Sequence, residues 1–283
     1  MRVGIGLPNT VPGATGSLLV EWARRADLGQ FSNLGLLERI PYRSFDPFAS
    51  LAAAAAVTER VGLVTMVAIG PLRPAAVLAK QALTLDALSE GRLTLGLSIG
   101  ARAEDYQATG VLTRGRGRRL TEQMYALRDH FEGERLGPRS PRDPGCGPPL
   151  LAGGLSGEAF GRMARIADGY VHGGGPPRAF ASAASKALAA WVDLRRPGRP
   201  QLWGQGYFAL GSPEEVEAGA AYLRDYYAFT GPFAEKIAAA NLATAQAVVD
   251  FVRGYEEAGC DELVLLPTVA EIEQVDRLAE VLA

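Results

Sequence analysis

Along this chain, short apolar runs alternate with longer stretches whose apolar residues recur at helical spacing. Val3–Pro8 reads as a first strand, Ser17–Leu28 as an amphipathic helix, and Asn33–Glu38 as a second strand ending on charge at Glu38-Arg39. Pro47 opens a helix at its first position, as proline often does, and that helix carries Leu51, the run Ala52–Ala56 and Val57. So many alanines suit tight packing on the rest of the fold or a helix–helix dimer contact. Val61–Ile69 is apolar throughout, as a strand covered on both faces should be. Pro74–Ser89 is the next helix, stopped by Gly91; Leu93–Ile99 is a fourth strand, Gly100–Tyr106 a charged loop and Arg116–Phe131 a helix.

Glu134–Pro148, rich in Gly, Pro and Arg, reads as a surface excursion, because the alternation resumes directly after it. Pro149–Ala152 begins the fifth unit and Gly169–His172 the sixth, which closes on Gly173-Gly174-Gly175. Pro176–Leu194 is helical, Leu202–Leu210 the seventh strand, Pro213–Leu223 and Ala234–Val252 helices, Glu262–Pro267 the eighth strand and Glu271–Leu282 the closing helix. Eight strands alternating with helices predict one parallel (β/α)8 TIM barrel over residues 1–283. The alternative, an open doubly wound sheet, lacks its Gly-x-Gly-x-x-Gly turn after strand one.

Composition narrows the chemistry. A length of 283 residues suits one barrel or two small domains, and a net charge of −2 lends no support to a nucleic-acid partner. Cys146 and Cys260 suggest no disulfide framework, and with His130 and His172 the only histidines no metal site is expected. No leader pattern opens the chain and no apolar run reaches membrane-spanning length, so a cytoplasmic protein without a membrane partner is expected.

The most informative stretch is Leu151-Ala152-Gly153-Gly154-Leu155-Ser156-Gly157. After it, Phe160, Met163, Ala164 and Ala167 recur at helical spacing, so the order is strand, glycine turn, helix. Such a turn leaves backbone N–H groups unpaired at the positive end of a helix, where a phosphate binds well. Ser156 either caps the helix or donates to that anion; a tight turn with a serine cap is the plainer reading. The second strand–glycine unit beside it suggests two adjacent loops on one barrel face, where barrel enzymes commonly place phosphates.

Three further stretches carry a resemblance: Ala52–Leu63; Pro71-Leu72-Arg73-Pro74 through Lys80-Gln81 and Thr84-Leu85-Asp86; and Leu88–Leu93 with Gly96–Gly100. Together with the Gly-Gly-x-Ser turn and Ala167-Asp168-Gly169, the chain resembles the bacterial-luciferase-like family of flavin- and deazaflavin-dependent oxidoreductases. The resemblance implies a (β/α)8 barrel, usually a homodimer, holding FMN or coenzyme F-420 at the C-terminal ends of its strands. It places the cofactor phosphate over Gly153, Gly154, Ser156 and Gly157, and the ring against Met66, Val67 and Ala68, where members often carry a non-proline cis peptide. The chain is shorter than many members, implying a shortened excursion after strand four and a more open site.

The departures from the family shape the reading. Oxygenase members often carry a histidine at the end of strand two; here Glu38-Arg39 stands there, and Glu38 is either a general acid or a partner of Arg39 or Arg43. Some F-420-dependent members place an acid directly after strand four; here that position is Ala101, with Glu104 and Tyr106 further along as candidate catalytic groups. His172 ends strand six, either at the cofactor phosphate or as a satisfied structural histidine. Arg73 and Arg102 are candidate anion or ring contacts, and Arg114, Arg116, Arg118 and Arg119 read as a solvated basic face or barrel-end salt bridges rather than a ligand site. The aromatics Tyr222, Tyr226, Tyr227 and Phe229 either pack on the barrel or line a substrate entrance. The favoured function is hydride transfer between coenzyme F-420 and a small organic or peptide substrate, reducing an activated C=C or C=N bond. An FMN-dependent monooxygenase served by a separate flavin reductase is the alternative, and a non-catalytic flavin-binding protein is the alternative of another class.

Overall fold

The computed structural model describes residues 1–133, 138 and 147–283. The predicted excursion, Glu134–Pro148, and Cys146 with it, lie almost wholly outside the described residues. Nine parallel strands close into a ring of eight staves: β1 (Arg2–Gly6), β2 (Asn33–Leu36), β3 (Gly62–Thr65), β4 (Ala68–Ile69), β5 (Leu93–Ser98), β6 (Leu150–Gly153), β7 (Gly169–Val171), β8 (Gln201–Phe208) and β9 (Glu262–Pro267). β3 and β4 are two halves of one stave, since both pair with β5 (Leu63 with Leu93, Ala68 with Leu97). β9 closes the ring on β1, with Val3 opposite Leu263. The predicted (β/α)8 TIM barrel is the fold.

The helices are α1 (Gly16–Leu28), α2 (Pro47–Ala55), α3 (Ala75–Leu88), α4 (Ala103–Thr109), α5 (Arg116–Glu132), α6 (Gly157–Ile166), α7 (Pro177–Asp193), α8 (Pro213–Tyr226), α9 (Phe233–Ala239), α10 (Ala245–Glu257) and α11 (Glu273–Leu282). Local chemistry sets their starts. Asp46 caps α2 ahead of Pro47, and Ser212 and Glu215 form a reciprocal capping box on α8.

Two expectations are corrected. The charged stretch after strand four is not simply a loop: from Ala103 it winds into α4, which ends at Gly110 in the left-handed conformation (φ 69°). Ala234–Val252 is two helices rather than one. Leu242 leaves the helical path to bridge β8 between them, donating to the Tyr207 carbonyl at 2.9 Å, and Thr244 then caps α10.

The period-two alternation of the strands separates two apolar clusters. Leu63, Leu150, Leu202, Leu263 and Leu265 pack outward against helix residues such as Trp22, Leu51 and Leu78. Their neighbours Val64, Leu151, Trp203, Val264 and Leu266 fill the barrel's interior. At the floor a buried carboxylate, Glu262, accepts from Asn33 (2.8 Å) and pairs with Arg2 (2.9 Å). With the floor and middle filled by side chains, the open space inside the barrel, among the described residues, lies toward the C-terminal ends of the strands. No helix of the described residues is long and apolar enough to cross a membrane.

Candidate active site

A cavity of about 570 Å³ opens at that end of the barrel. One wall is Met66-Val67, where β3 passes into β4 and the peptide bond is cis, as the resemblance implies. A second wall is made by the loops after β6 and β7: Gly153, Gly154, Leu155, His172, Gly173 and Gly174. Arg102, Tyr226, Tyr227 and Phe229 form a third, aromatic wall.

The glycine wall is built for close approach. Gly154 has φ 132°, and a Cβ there would stand 2.7 Å from that of Ala159. A Cβ on Gly173 would meet no atom within 4 Å, so its position faces open space. Gln205, in the interior register of β8, donates to the Gly173 carbonyl at 3.1 Å and holds this loop in place. Ser156 caps α6 by accepting from Ala159 N–H at 3.2 Å, the plainer of its two expected roles. Ser156 and Gly157, like Ala68, do not line the cavity; Met66, Val67, Gly153, Gly154 and His172 do. Glu158 occupies the first turn of α6, its carboxyl held below the usual range by its own backbone N–H and by Ser156.

His172 is 3% exposed. Its Nδ1 lies 3.2 Å from the Tyr170 hydroxyl, and its ring packs edge-on against Phe180. Nε2 is buried without a hydrogen bond of standard geometry. Burial holds the ring below the usual histidine range, opposed in part by the Gly174 backbone, so the imidazole is neutral at pH 7.

Glu38 lines the cavity, but its partner is neither Arg39 nor Arg43. Arg73 takes both carboxylate oxygens, with Nη1 donating to Oε2 at 3.0 Å and Nη2 to Oε1, while the Ile69 N–H donates to Oε2 at 2.6 Å. This bidentate geometry suits the planar guanidinium. Arg39 instead stacks 4.3 Å over the Tyr42 ring and stands 3.6 Å from Glu104. Glu104 and Tyr106 therefore do not join the cavity: Glu104 turns to Arg39, and the Tyr106 hydroxyl donates to the Ile99 carbonyl in the packed barrel end. Sequence reasoning named neither Tyr170, Gln205 nor Gly173 as a site residue. The signal for Gln205 was a lone amide between Trp203 and Tyr207 on the inward-facing register of an apolar strand.

The hydroxyls of Tyr207, Tyr222, Tyr226 and Tyr227 are pushed above the usual range by burial and stay protonated. Of these, Tyr226 and Tyr227 line the cavity, and the Tyr227 oxygen lies 2.6 Å from that of Tyr207.

Residues 1–259 match the luciferase-like monooxygenase family. The chain belongs to this family. An uncharacterised protein of Mycobacterium tuberculosis (strain H37Rv) is 39% identical over 142 residues, covering 47% of this chain and 49% of the relative. The match thus spans about half the length of that relative. Among solved structures, an F420-dependent secondary alcohol dehydrogenase in complex with an F420–acetone adduct superposes with a TM-score of 0.81 at 15% identity, covering 99% of this chain and 97% of that one. Monooxygenase RslO1 from Streptomyces bottropensis does so with a TM-score of 0.77 at 19% identity over the same shares. At such identities the two share the fold with this chain. One is an F420-dependent dehydrogenase and the other a monooxygenase.

Proposed function

We propose that this protein is an oxidoreductase that moves a hydride between coenzyme F-420 and a small organic or peptide substrate, reducing an activated C=C or C=N bond. The observation that carries the reading is the cavity itself. It is large enough for a ring system, and it is walled by glycines whose missing side chains leave room for a phosphate and by the buried, neutral His172. Met66 and Val67 would flank the ring; Gly153, Gly154, Gly173 and His172 would hold the phosphate end. Bound there, reduced F-420 supplies the hydride.

The chain's own residues orient and protonate. Reducing a C=C bond requires a proton on the carbon that gains negative charge. Tyr227, protonated and at the wall, is better placed for that than Glu104 or Tyr106, and Glu38 has both oxygens engaged by Arg73. The same commitment of Glu38, where oxygenase members often carry a histidine, favours hydride transfer over oxygen activation.

The second reading is an FMN-dependent monooxygenase fed by a flavin reductase, favoured by the family's name and by the likeness to RslO1. Flavin binding without turnover is the third. Titration with F-420 and with FMN, followed by absorbance and fluorescence, separates the first two. Tight F-420 binding with FMN ignored supports the reductase; the reverse supports the monooxygenase and calls for an oxygen-uptake assay. Binding of neither sinks the assignment, and binding without turnover supports the third. We also propose a homodimer through the alanine-rich face of α2, where Ala53 and Ala56 are exposed; sedimentation velocity checks it.

A further inference from the structure

We infer that Arg102 is a substrate-recognition residue and that the substrate carries an anionic group, a carboxylate being the simplest. This deepens the oxidoreductase reading and rests on it. Arg102 lines the cavity yet is 8% exposed. Its guanidinium carbon lies 4.3 Å from the Tyr226 ring centroid and 4.4 Å from that of Phe229, so aromatic faces fix it. Among the described residues only Nη2 makes a hydrogen bond, donating to the Tyr226 carbonyl at 3.1 Å, and Nε is buried with none. Among the described residues no carboxylate stands within ion-pair distance of it. Asp105, whose charge it feels, spends Oδ1 on the Ile40 N–H at 2.8 Å and does not line the cavity.

A desolvated guanidinium with no carboxylate in direct contact is expensive unless something brings the charge to it, and Asp105 acts on it only from beyond contact distance. The other charged groups of the wall do not. Glu38 is consumed by Arg73, and Arg116, the remaining charged side chain there, adds a second positive charge. Arg102 is anchored on the aromatic wall. It leans on the C-terminal end of α8, where Arg39 shares the Tyr226 carbonyl at 3.3 Å, whereas the phosphate cradle belongs to the loops after β6 and β7. The anion it awaits is therefore distinct from the cofactor phosphate. A carboxylate conjugated to the reducible bond would be held by the fork while the bond lies over the cofactor ring.

The test uses cinnamate, an unsaturated acid, and its neutral isostere cinnamamide. Both are titrated by calorimetry into the purified protein, with and without bound cofactor. The expected result is a preference for the acid of about tenfold or more, the worth of one charge-assisted fork. Arg102→Gln should abolish that preference while leaving cofactor affinity unchanged, and Arg102→Lys should keep part of it, because charge remains but the fork is lost. Equal binding of acid and amide, no binding of the acid up to millimolar concentration, or an unchanged preference in Arg102→Gln overturns the inference. So does a loss of cofactor affinity in that variant, which would make Arg102 a cofactor contact. Should Arg102→Gln fail to fold, the same comparison in Arg102→Lys decides. Failure to bind either cofactor sinks the oxidoreductase reading, while the acid–amide comparison on the cofactor-free protein still tests Arg102.

Discussion

Arg73 occupies both carboxylate oxygens of Glu38 at the mouth of the barrel, across 35 positions of sequence. The Glu38 side chain is 1% exposed and that of Arg73 13%, so the charges are largely out of water and each depends on the other. Breaking such a pair leaves a buried charge uncompensated. Arg73→Met should cost on the order of 3 kcal/mol. The double variant Glu38→Met/Arg73→Met should recover much of that loss. Urea unfolding of the three proteins checks both; full additivity of the single losses would contradict the coupling.

The buried neutral ring of His172 predicts a pH dependence of stability. Its folded-state value lies below the ordinary 6.5, so between the two the unfolded chain binds a proton that the folded chain refuses. The stability due to this group is fully present above pH 6.5 and lost as pH falls from 6.5 toward the folded-state value. Unfolding free energies at stepped pH should show that decline in the wild type and less of it in His172→Gln.

The two glycine loops should respond differently to a methyl group. At Gly154 the positive φ and the Ala159 Cβ both oppose a side chain, so Gly154→Ala should lower stability by about 1–3 kcal/mol and weaken cofactor binding. Gly173→Ala meets no neighbour, so its melting temperature should hardly change while cofactor affinity falls. Thermal unfolding beside cofactor titration distinguishes the two; equal loss of stability in both would contradict the assignment of Gly173 to the ligand-facing wall.

If Tyr227 delivers the proton, Tyr227→Phe should lower kcat by about 10²-fold, a usual worth of general acid catalysis. Cofactor affinity should stay the same. The loss of the Tyr207 partner makes Tyr207→Phe the control: it breaks the same 2.6 Å hydrogen bond without removing the proton at the wall. Similar kcat losses in both variants would point to the hydrogen bond rather than the proton.

The sequence by itself determined the barrel. Parallel staves are covered on both faces, so they stand out as unbroken apolar runs, and two of the helices between them announce their starts with Pro47 and Ser156. The glycine turn at Gly153-Gly154 was legible for the same reason, because its signal is local; the Met66-Val67 stretch came only from the resemblance. Partners were not legible. Glu38 finds Arg73 rather than the adjacent Arg39, and Arg102 finds Tyr226, 124 positions further on, because ring closure brings the segments after β2, β4, β5 and β8 to one mouth. Glu104 and Tyr106 had the right chemistry and the right loop. The winding of that loop into α4 turned one toward Arg39 and buried the other. Which polar groups reach a cavity depends on how side chains share the limited space at the barrel's end, and only the tertiary structure decides that.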